Sequence, residues 1–331
     1  MERVGLAKHQ PAVTVDDIDE PTMFGAGHEL IDLDAVQLQS MPFRLRRVIV
    51  RLDTCCVSYH SAHARVSART SVLEGRLAYL TFGPRARGTV NGLPISPGML
   101  LAGAPATEGR FVVDAGFEDV TLLVHPQDIK DHLVARGREG DFRMPRGVEL
   151  LHVNAEKVRD LYGLGKQLVD VAARQPFRFD EGTKERAAVQ AELFETLLAT
   201  LDTASSVELT HSERTRQAHS RVVRAAEDHA LSRIDDPLHI TDLCRATGVS
   251  ERTLQYAFKE VMGLSPRDYL VRLRLHRVRQ ALLAAPPRTS TVAVEALKWG
   301  FWHFGEFSRA YKDCFGELPS HTLRRPPAGK R

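Results

Sequence analysis

The chain has 331 residues, 43% hydrophobic and 26% charged, with a formal net charge of +3. Those proportions exclude a collagen-like or low-complexity polymer and an acidic disordered chain, and they suit a soluble globular protein of about two domains. The sequence has no apolar run of the roughly 18 residues that a bilayer span needs, so no membrane partner is expected.

Residues 1–29 are expected to be an N-terminal extension. Their sequence, beginning MERVGLAKHQPAVTVDDIDEP, lacks the apolar centre of a secretory signal, so a cytoplasmic protein is expected. Residues 30–125 read as short strands, in RRVIVRL, RVSART, LAYLTF, GMLLAG, GRFVVDA and DVTLLV. Gly, Pro and Asn-Gly signals such as VNGLPISPG separate them, a pattern that predicts a small barrel or sandwich. After Pro126 the period becomes helical, in QDIKDHLVAR, AEKVRDLYGLGKQLVDVAAR and TKERAAVQAELFETLLATL. Leu161, Leu164, Leu168 and Val171 form one apolar stripe and Val189, Leu193, Leu197 and Leu201 another, suited to packing on the strands or on a second subunit. Residues 204–213, ASSVELTHSE, are polar and without a clear period, and predict a linker.

Two features of this front section invite chemistry. Adjacent strand residues point to opposite faces, so Cys55 and Cys56 are expected as one buried thiol and one partly exposed, rather than as a strained vicinal disulfide. The four cysteines, with Cys244 and Cys314, have neither zinc spacing nor a disulfide framework, which suits a reducing compartment. His60 and His63, in YHSAHAR, are a close pair, but no acidic residue follows soon after and PGMLLAGAP adds no histidine. A metal shell needs more ligands than that, so two partly exposed histidines in a loop or edge strand are expected.

The rear of the chain repeats itself. GVSERTLQYAFKEVMGLSP, Gly248 to Pro266, returns in GFWHFGEFSRAYKDCFGELPS, Gly300 to Ser320. A shift of 53 residues carries Leu254, Ala257, Phe258 and Val261 onto Phe307, Ala310, Tyr311 and Cys314, an apolar stripe at i, i+3, i+4, i+7 in both copies. The same shift takes Lys259 to Lys312, Gly263 to Gly316 and Pro266 to Pro319. On the opposite faces Arg252, Gln255, Tyr256 and Lys259 fall on Gly305, Ser308, Arg309 and Lys312. The second copy predicts a helix over Glu306–Phe315. A short helical segment and a glycine turn precede each copy, ITDLCRATG and VAVEALKWG, giving two helix-turn-helix units whose second helices can enter a major groove.

Between them Ser265 as N-cap, Pro266 in the first turn and Asp268 reaching back predict a helix, ended by Pro286-Pro287. About 20 residues at 1.5 Å each make a rod of roughly 30 Å, near the ~34 Å between successive major-groove faces on one side of B-DNA. Charge follows the same division. Residues 211–331 hold 21 Lys and Arg against 13 Asp and Glu, a net of +8, while residues 1–210 hold 24 against 29, a net of −5. A basic rear section can neutralise phosphates.

From about Arg216 to Arg325 the chain resembles the DNA-binding domain of the AraC/XylS family of bacterial transcription regulators, on LCRATGVSERTLQYAFKEVMGLSPRDYLVRLRLHRVRQAL and ALKWGFWHFGEFSRAYKDCFGELPS. The resemblance implies an α+β multidomain protein. A cupin-like β-barrel or sandwich with trailing helices would occupy residues 30–203, and an all-α domain with two helix-turn-helix units residues 214–325, followed by a tail, 326–331. For the front section it rests mainly on NGLPISPGMLL. It further implies a double-stranded DNA operator, a small-molecule effector, a second copy of the chain and RNA polymerase as partners, with no cofactor and no catalytic residue.

In a family-like docking the outward residues are Glu251, Arg252, Gln255, Tyr256 and Lys259 on the first recognition helix, and His303, Phe304, Glu306, Ser308, Arg309 and Lys312 on the second. Arg252 can donate twice to guanine and Gln255 can pair with adenine, Lys259 suits phosphate, Arg309 suits base or phosphate, and Glu306 can accept from cytosine N4. Phe304 is the candidate for a thymine methyl, with Trp299 and Phe301 expected inside. Two departures stand out. Val294 and Glu295 occur in the reverse of the family's usual order, so either that helix rotates or Glu295 reaches the rim, and Gly305 replaces a frequent Ser. The competing classes are a cupin-type enzyme fused to a DNA-binding tail, a thiol-dependent DNA-repair transferase and a scaffold that binds DNA without sequence preference.

Overall fold

The structure, a computed structural model, describes residues 11–20, 31–40, 43–73, 75–138, 142–233, 239–286 and 289–325. The tail 326–331, Pro287 of the proline stop and most of the expected extension 1–29 lie outside the described residues.

Two antiparallel sheets form the front section. The larger runs in the order β1 (Val13–Ile18), β3 (Leu45–Arg51), β4 (Cys55–Ala62), β11 (Phe117–Val124), β6 (Leu77–Phe82), β9 (Met99–Gly103), β12 (Val148–His152) and β13 (Ser205–Ser206). The smaller runs β2 (Ile31–Gln37), β5 (Val66–Val72), β10 (Glu108–Val113), β7 (Gly88–Val90) and β8 (Leu93–Pro94). The architecture is a sandwich, with its inner faces sharing one core of Leu45, Ala62, Ala68, Phe82, Leu101 and Phe111. The Asn-Gly signal does what its chemistry dictates. Asn91 and Gly92 take φ of 49° and 81° and close the β7–β8 hairpin.

Helices cover the outer face of the larger sheet. After α1 (Pro126–Val134), α2 (Ala155–Arg174) and α3 (Lys184–Leu201) bury Leu161, Leu168, Leu193 and Leu197 against Val48, Val57, Tyr59 and Leu122. The two predicted stripes therefore pack on the strands. With helices on one side and the second sheet on the other, β4 is buried on both faces. Cys55 and Cys56 are consequently both buried, which corrects the expected half-exposed thiol. Burial pushes the Cys55 thiol up, and that of Cys56 up to about 12.

The rear section is helical: α4 (His211–Ser232), α5 (Ile240–Thr247), α6 (Glu251–Met262), α7 (Pro266–Ala284), α8 (Val292–Lys298), α9 (Phe304–Phe315) and α10 (Pro319–Leu323). The stretch 204–213 expected as a linker holds β13 and ends in a capping box, in which the Thr210 hydroxyl accepts from Glu213 N at 3.3 Å and the Glu213 carboxylate accepts from Thr210 N at 2.8 Å. Two apolar clusters divide the helices. One joins Leu243, Leu254, Ala257, Phe258 and Val261 to Tyr269, Leu270 and Leu273. The other joins Phe307, Tyr311 and Cys314 to Leu275, Val278 and Leu282. The first half of α7 thus completes one unit and its second half the other. No helix among the described residues is long and apolar enough to cross a membrane.

The front and rear sections meet along β2. Ile31 and Leu33 point between the sheets, while Asp34 and Val36 point to the helices. Arg277 donates to both Asp34 oxygens, one at 3.2 Å. Gln37 N donates to His276 Nε2 at 3.1 Å, and Arg279 meets Glu20 at 2.6 Å.

Candidate functional site

The two recognition helices are built alike. Ser250 caps α6, accepting from Thr253 N at 3.2 Å, and Gly263 ends it in the left-handed region at φ 73°, its N–H on Lys259 O. Gly316 ends α9 the same way, at φ 75° with its N–H on Lys312 O. The N-terminal ends differ. His303 makes no side-chain cap bond, and α9 begins at Phe304, two residues before the predicted start. The turn glycines Gly248 and Gly300 are both left-handed and lie 52 residues apart, so the turn of the second unit is one residue longer than the 53-residue frame.

Apolar stripes face inward and the polar faces stay in solvent. Glu251, Arg252, Gln255, Tyr256 and Lys259 are all exposed, with Tyr256 at 58%. Gln255 Nε2 donates to Glu251 Oε1 at 3.1 Å, and the Arg252 guanidinium lies 5.6 Å from the centre of the Tyr256 ring. Lys259 Nζ reaches Gly263 O at 3.4 Å. Arg252, Gln255, Tyr256 and Lys259, with Ser265 and Asp268, line a shallow groove. On α9, His303, Phe304, Glu306, Arg309 and Lys312 are exposed and Ser308 is half-buried. Arg309 and Lys312 hold no ion pair among the described residues, so both are available to an anion.

α7 is 19 residues long, about 28 Å at the helical rise, and unbroken between its caps. Ser265 Oγ accepts from Asp268 N at 3.2 Å, as the sequence predicted. The reversed pair in α8 is accommodated without rotation. Val294 is 45% exposed and Glu295 is buried, its carboxylate accepting from Ser290 Oγ at 2.5 Å and Lys298 Nζ at 3.0 Å. Trp299 and Phe301 are half-buried against the second cluster. Sequence reasoning gave no role to Trp302, which stands 67% exposed beside His303, at the entrance to α9.

The front section contributes a cavity between the sheets, lined by Ile31, Leu33, Leu80, Leu101, Phe111 and Phe117, with His60, Asp119 and Thr121 as a polar patch. His60 is 6% exposed, in the central strand β4, which corrects the expectation for that member of the pair, while His63 lies just beyond the strand and is exposed. Its Nδ1 lies 3.2 Å from Asp119 Oδ1 and its Nε2 lies 3.1 Å from Ser58 Oγ. The missing acidic neighbour comes from β11, paired with β4 in register. Serine, histidine and aspartate stand in the order of a hydrolytic triad, yet the backbone N–H groups around them belong to the ladders of β4 and β11 with their neighbours on both sides. No oxyanion hole is formed there. Among the described residues no three His, Cys, Asp or Glu side chains gather to hold a metal ion.

Residues 243–325 match the helix-turn-helix domain family. The "Probable thc operon regulatory protein" of Rhodococcus erythropolis is 38% identical over 106 residues, covering 32% of this chain and 32% of that protein. "XylDLEGF operon transcriptional activator 3" of Pseudomonas putida is 33% identical over 105 residues, 32% of this chain and 30% of that protein. Among solved structures, a "probable AraC family transcriptional regulator" from Rhodopseudomonas palustris CGA009 is 38% identical, covers 32% of this chain and 99% of its own, and has a TM-score of 0.30. The chain spans about a third of the length of the curated relatives it matches. These relatives carry the names of regulators, and the matched residues are those that fold into the duplicated helices: the chain carries at its C-terminus, over residues 243–325, a helix-turn-helix DNA-binding domain similar to that of AraC/XylS-type transcription regulators.

Proposed function

We propose that the protein binds one operator through two successive major grooves, with α6 in the first and α9 in the second, and that a small molecule held between the sheets of the front section controls this binding. The sensor unit lies within residues 30–203 and the DNA-binding unit within 214–325, joined through 204–213. The observation that carries the DNA reading is that one unbroken helix, α7, packs into the cores of both units while both polar faces remain exposed. Arg252 and Gln255 read bases, Lys259 holds phosphate, and Arg309 reads a base or phosphate, with Glu251, Tyr256, His303, Phe304, Glu306, Ser308 and Lys312 around them.

Control by an effector is supported by β2. Its inner residues Ile31 and Leu33 line the cavity, and its outer residue Asp34 and backbone Gln37 hold Arg277 and His276 of α7. A guest that displaces this strand biases how the rod is held, which is the differential interaction that coupling requires. The protein acts in the cytoplasm as a homodimer, and RNA polymerase is its downstream partner. Selection of bound sequences from a random DNA pool tests the reading. Enrichment of two boxes about 10 base pairs apart, centre to centre, is expected for adjacent grooves. Equal retention of random DNA in competition would instead identify a binder without sequence preference.

A further inference from the structure

The cavity between the sheets measures about 90 Å³. A cavity of about 150 Å³ takes up benzene, with its six non-hydrogen atoms, so in proportion about four fit here as the walls stand and a guest of six needs the walls to give. Most of the wall is aliphatic or aromatic, and Ala62, Ala68, Ala78 and Gly103 make the room. Polar atoms enter at Thr70, Thr107, Thr121, His60 and Asp119.

What those polar groups have left to offer is one-sided. Thr70 Oγ1 donates to Gly109 O at 3.4 Å, Thr107 Oγ1 to Ala104 O at 2.6 Å, and Thr121 Oγ1 to Asp119 Oδ2 at 2.7 Å. The hydroxyl protons are therefore committed, and His60 already faces Asp119 and Ser58 through its two nitrogens. Lone pairs on the hydroxyls and on the Asp119 carboxylate remain, since a carboxylate can accept up to about four bonds. Charge acts in the same direction. His60 already lies against Asp119 at 3.2 Å, and Arg47, opposite His60 on β3, is held by Asp16 at 2.7 Å. No Lys or Arg among the described residues lines the cavity, so an anion entering it would meet Asp119 without a cation to pair with.

We propose that this cavity takes a compact, uncharged, largely apolar molecule whose polar end donates hydrogen bonds to Asp119, as a short alcohol or primary amide does, and that it rejects carboxylates of the same size. The proposal rests on the reading of the cavity as the effector site and narrows it to a chemical class. Butanamide and butanoate have the same size and differ in charge and donor, 2-pentanone has no donor, and 1-butylamine carries a positive charge. Calorimetric titration of the full chain with these four at neutral pH is expected to show butanamide binding at least tenfold tighter than any of the others. Ala68→Leu, which fills the space, is expected to abolish butanamide binding, and Asp119→Asn to reduce the preference for butanamide over butanoate by about tenfold, with circular dichroism confirming that both variants fold. Butanoate or butylamine binding as well as butanamide, no butanamide binding, or undiminished binding by Ala68→Leu would each overturn the proposal. Operator affinity measured with and without saturating butanamide separates the two ideas. Selective binding that leaves operator affinity unchanged would keep the ligand class and remove the effector reading. A response of operator affinity to butanoate alone would do the reverse.

Discussion

His276 shows how single residues hold the rod against the front section. It is 1% exposed, and burial first, then Arg279, Arg272 and Arg277, push its pKa down to about 3. The unfolded chain takes up a proton near pH 6.5 that the folded chain refuses, so this histidine's contribution is complete above about pH 6.5 and is lost as pH falls towards 3. At about 1.4 kcal/mol per pH unit, roughly 2 kcal/mol disappears between pH 6.5 and 5. Urea midpoints at pH 7 and pH 5 are expected to show that loss in the natural chain, and to show less of it in His276→Gln, whose amide oxygen can still accept from Gln37 N. Arg252→Ala and Arg309→Ala are each expected to cost about 1–3 kcal/mol of operator affinity and to flatten preference at one or two base pairs, read by anisotropy titrations on a set of point-altered operators. These arginines were legible in the sequence because the duplicated frame marks a face. The His60–Asp119 contact was not, since its partners lie 59 residues apart and meet only through the pairing of β4 with β11.

At the scale of elements, legibility followed the number of faces that each element buries. α6 and α9 bury one stripe and carry a clear 3.6-residue period. β4 buries both faces, so CCVSYHSA has no alternation and did not read as a strand. α7 was recognised by its Ser265-Pro266 start rather than its period, because Tyr269, Leu273, His276, Arg279 and Leu282 are buried on several sides of it. α4 was overlooked although Thr210 and Glu213 have the spacing of a capping box. The rod's continuity is testable. Arg274→Pro removes a bond in the interior of α7 and is expected to cost 3 kcal/mol or more in thermal or urea unfolding, and to uncouple the two DNA contacts. Gly316→Ala is a milder case. Nothing lies within 4 Å of the added carbon, so the cost is that of a left-handed backbone alone, roughly 1–2 kcal/mol by the same unfolding assay.

Across the whole molecule, charge ties the halves together in both directions. Asp34 and Glu20 of the front hold Arg277 and Arg279 of α7, while Arg69 and Arg110 of the front hold Asp228 and Glu227 of α4. Composition alone gave an acidic front and a basic rear, but not these reciprocal pairs, which depend on how the sections pack. The surplus of positive charge predicts salt-dependent operator binding, with the slope of log K against log salt falling by about one when Lys259 becomes Ala. The central claim is that two matched helices on one shared rod occupy adjacent grooves of a single duplex. Hydroxyl-radical footprinting of the full chain on its selected operator tests it most directly. Two protected patches about 10 base pairs apart on one face are predicted, with Arg252→Ala weakening one and Arg309→Ala the other. A single patch, or two that both variants leave intact, would contradict it.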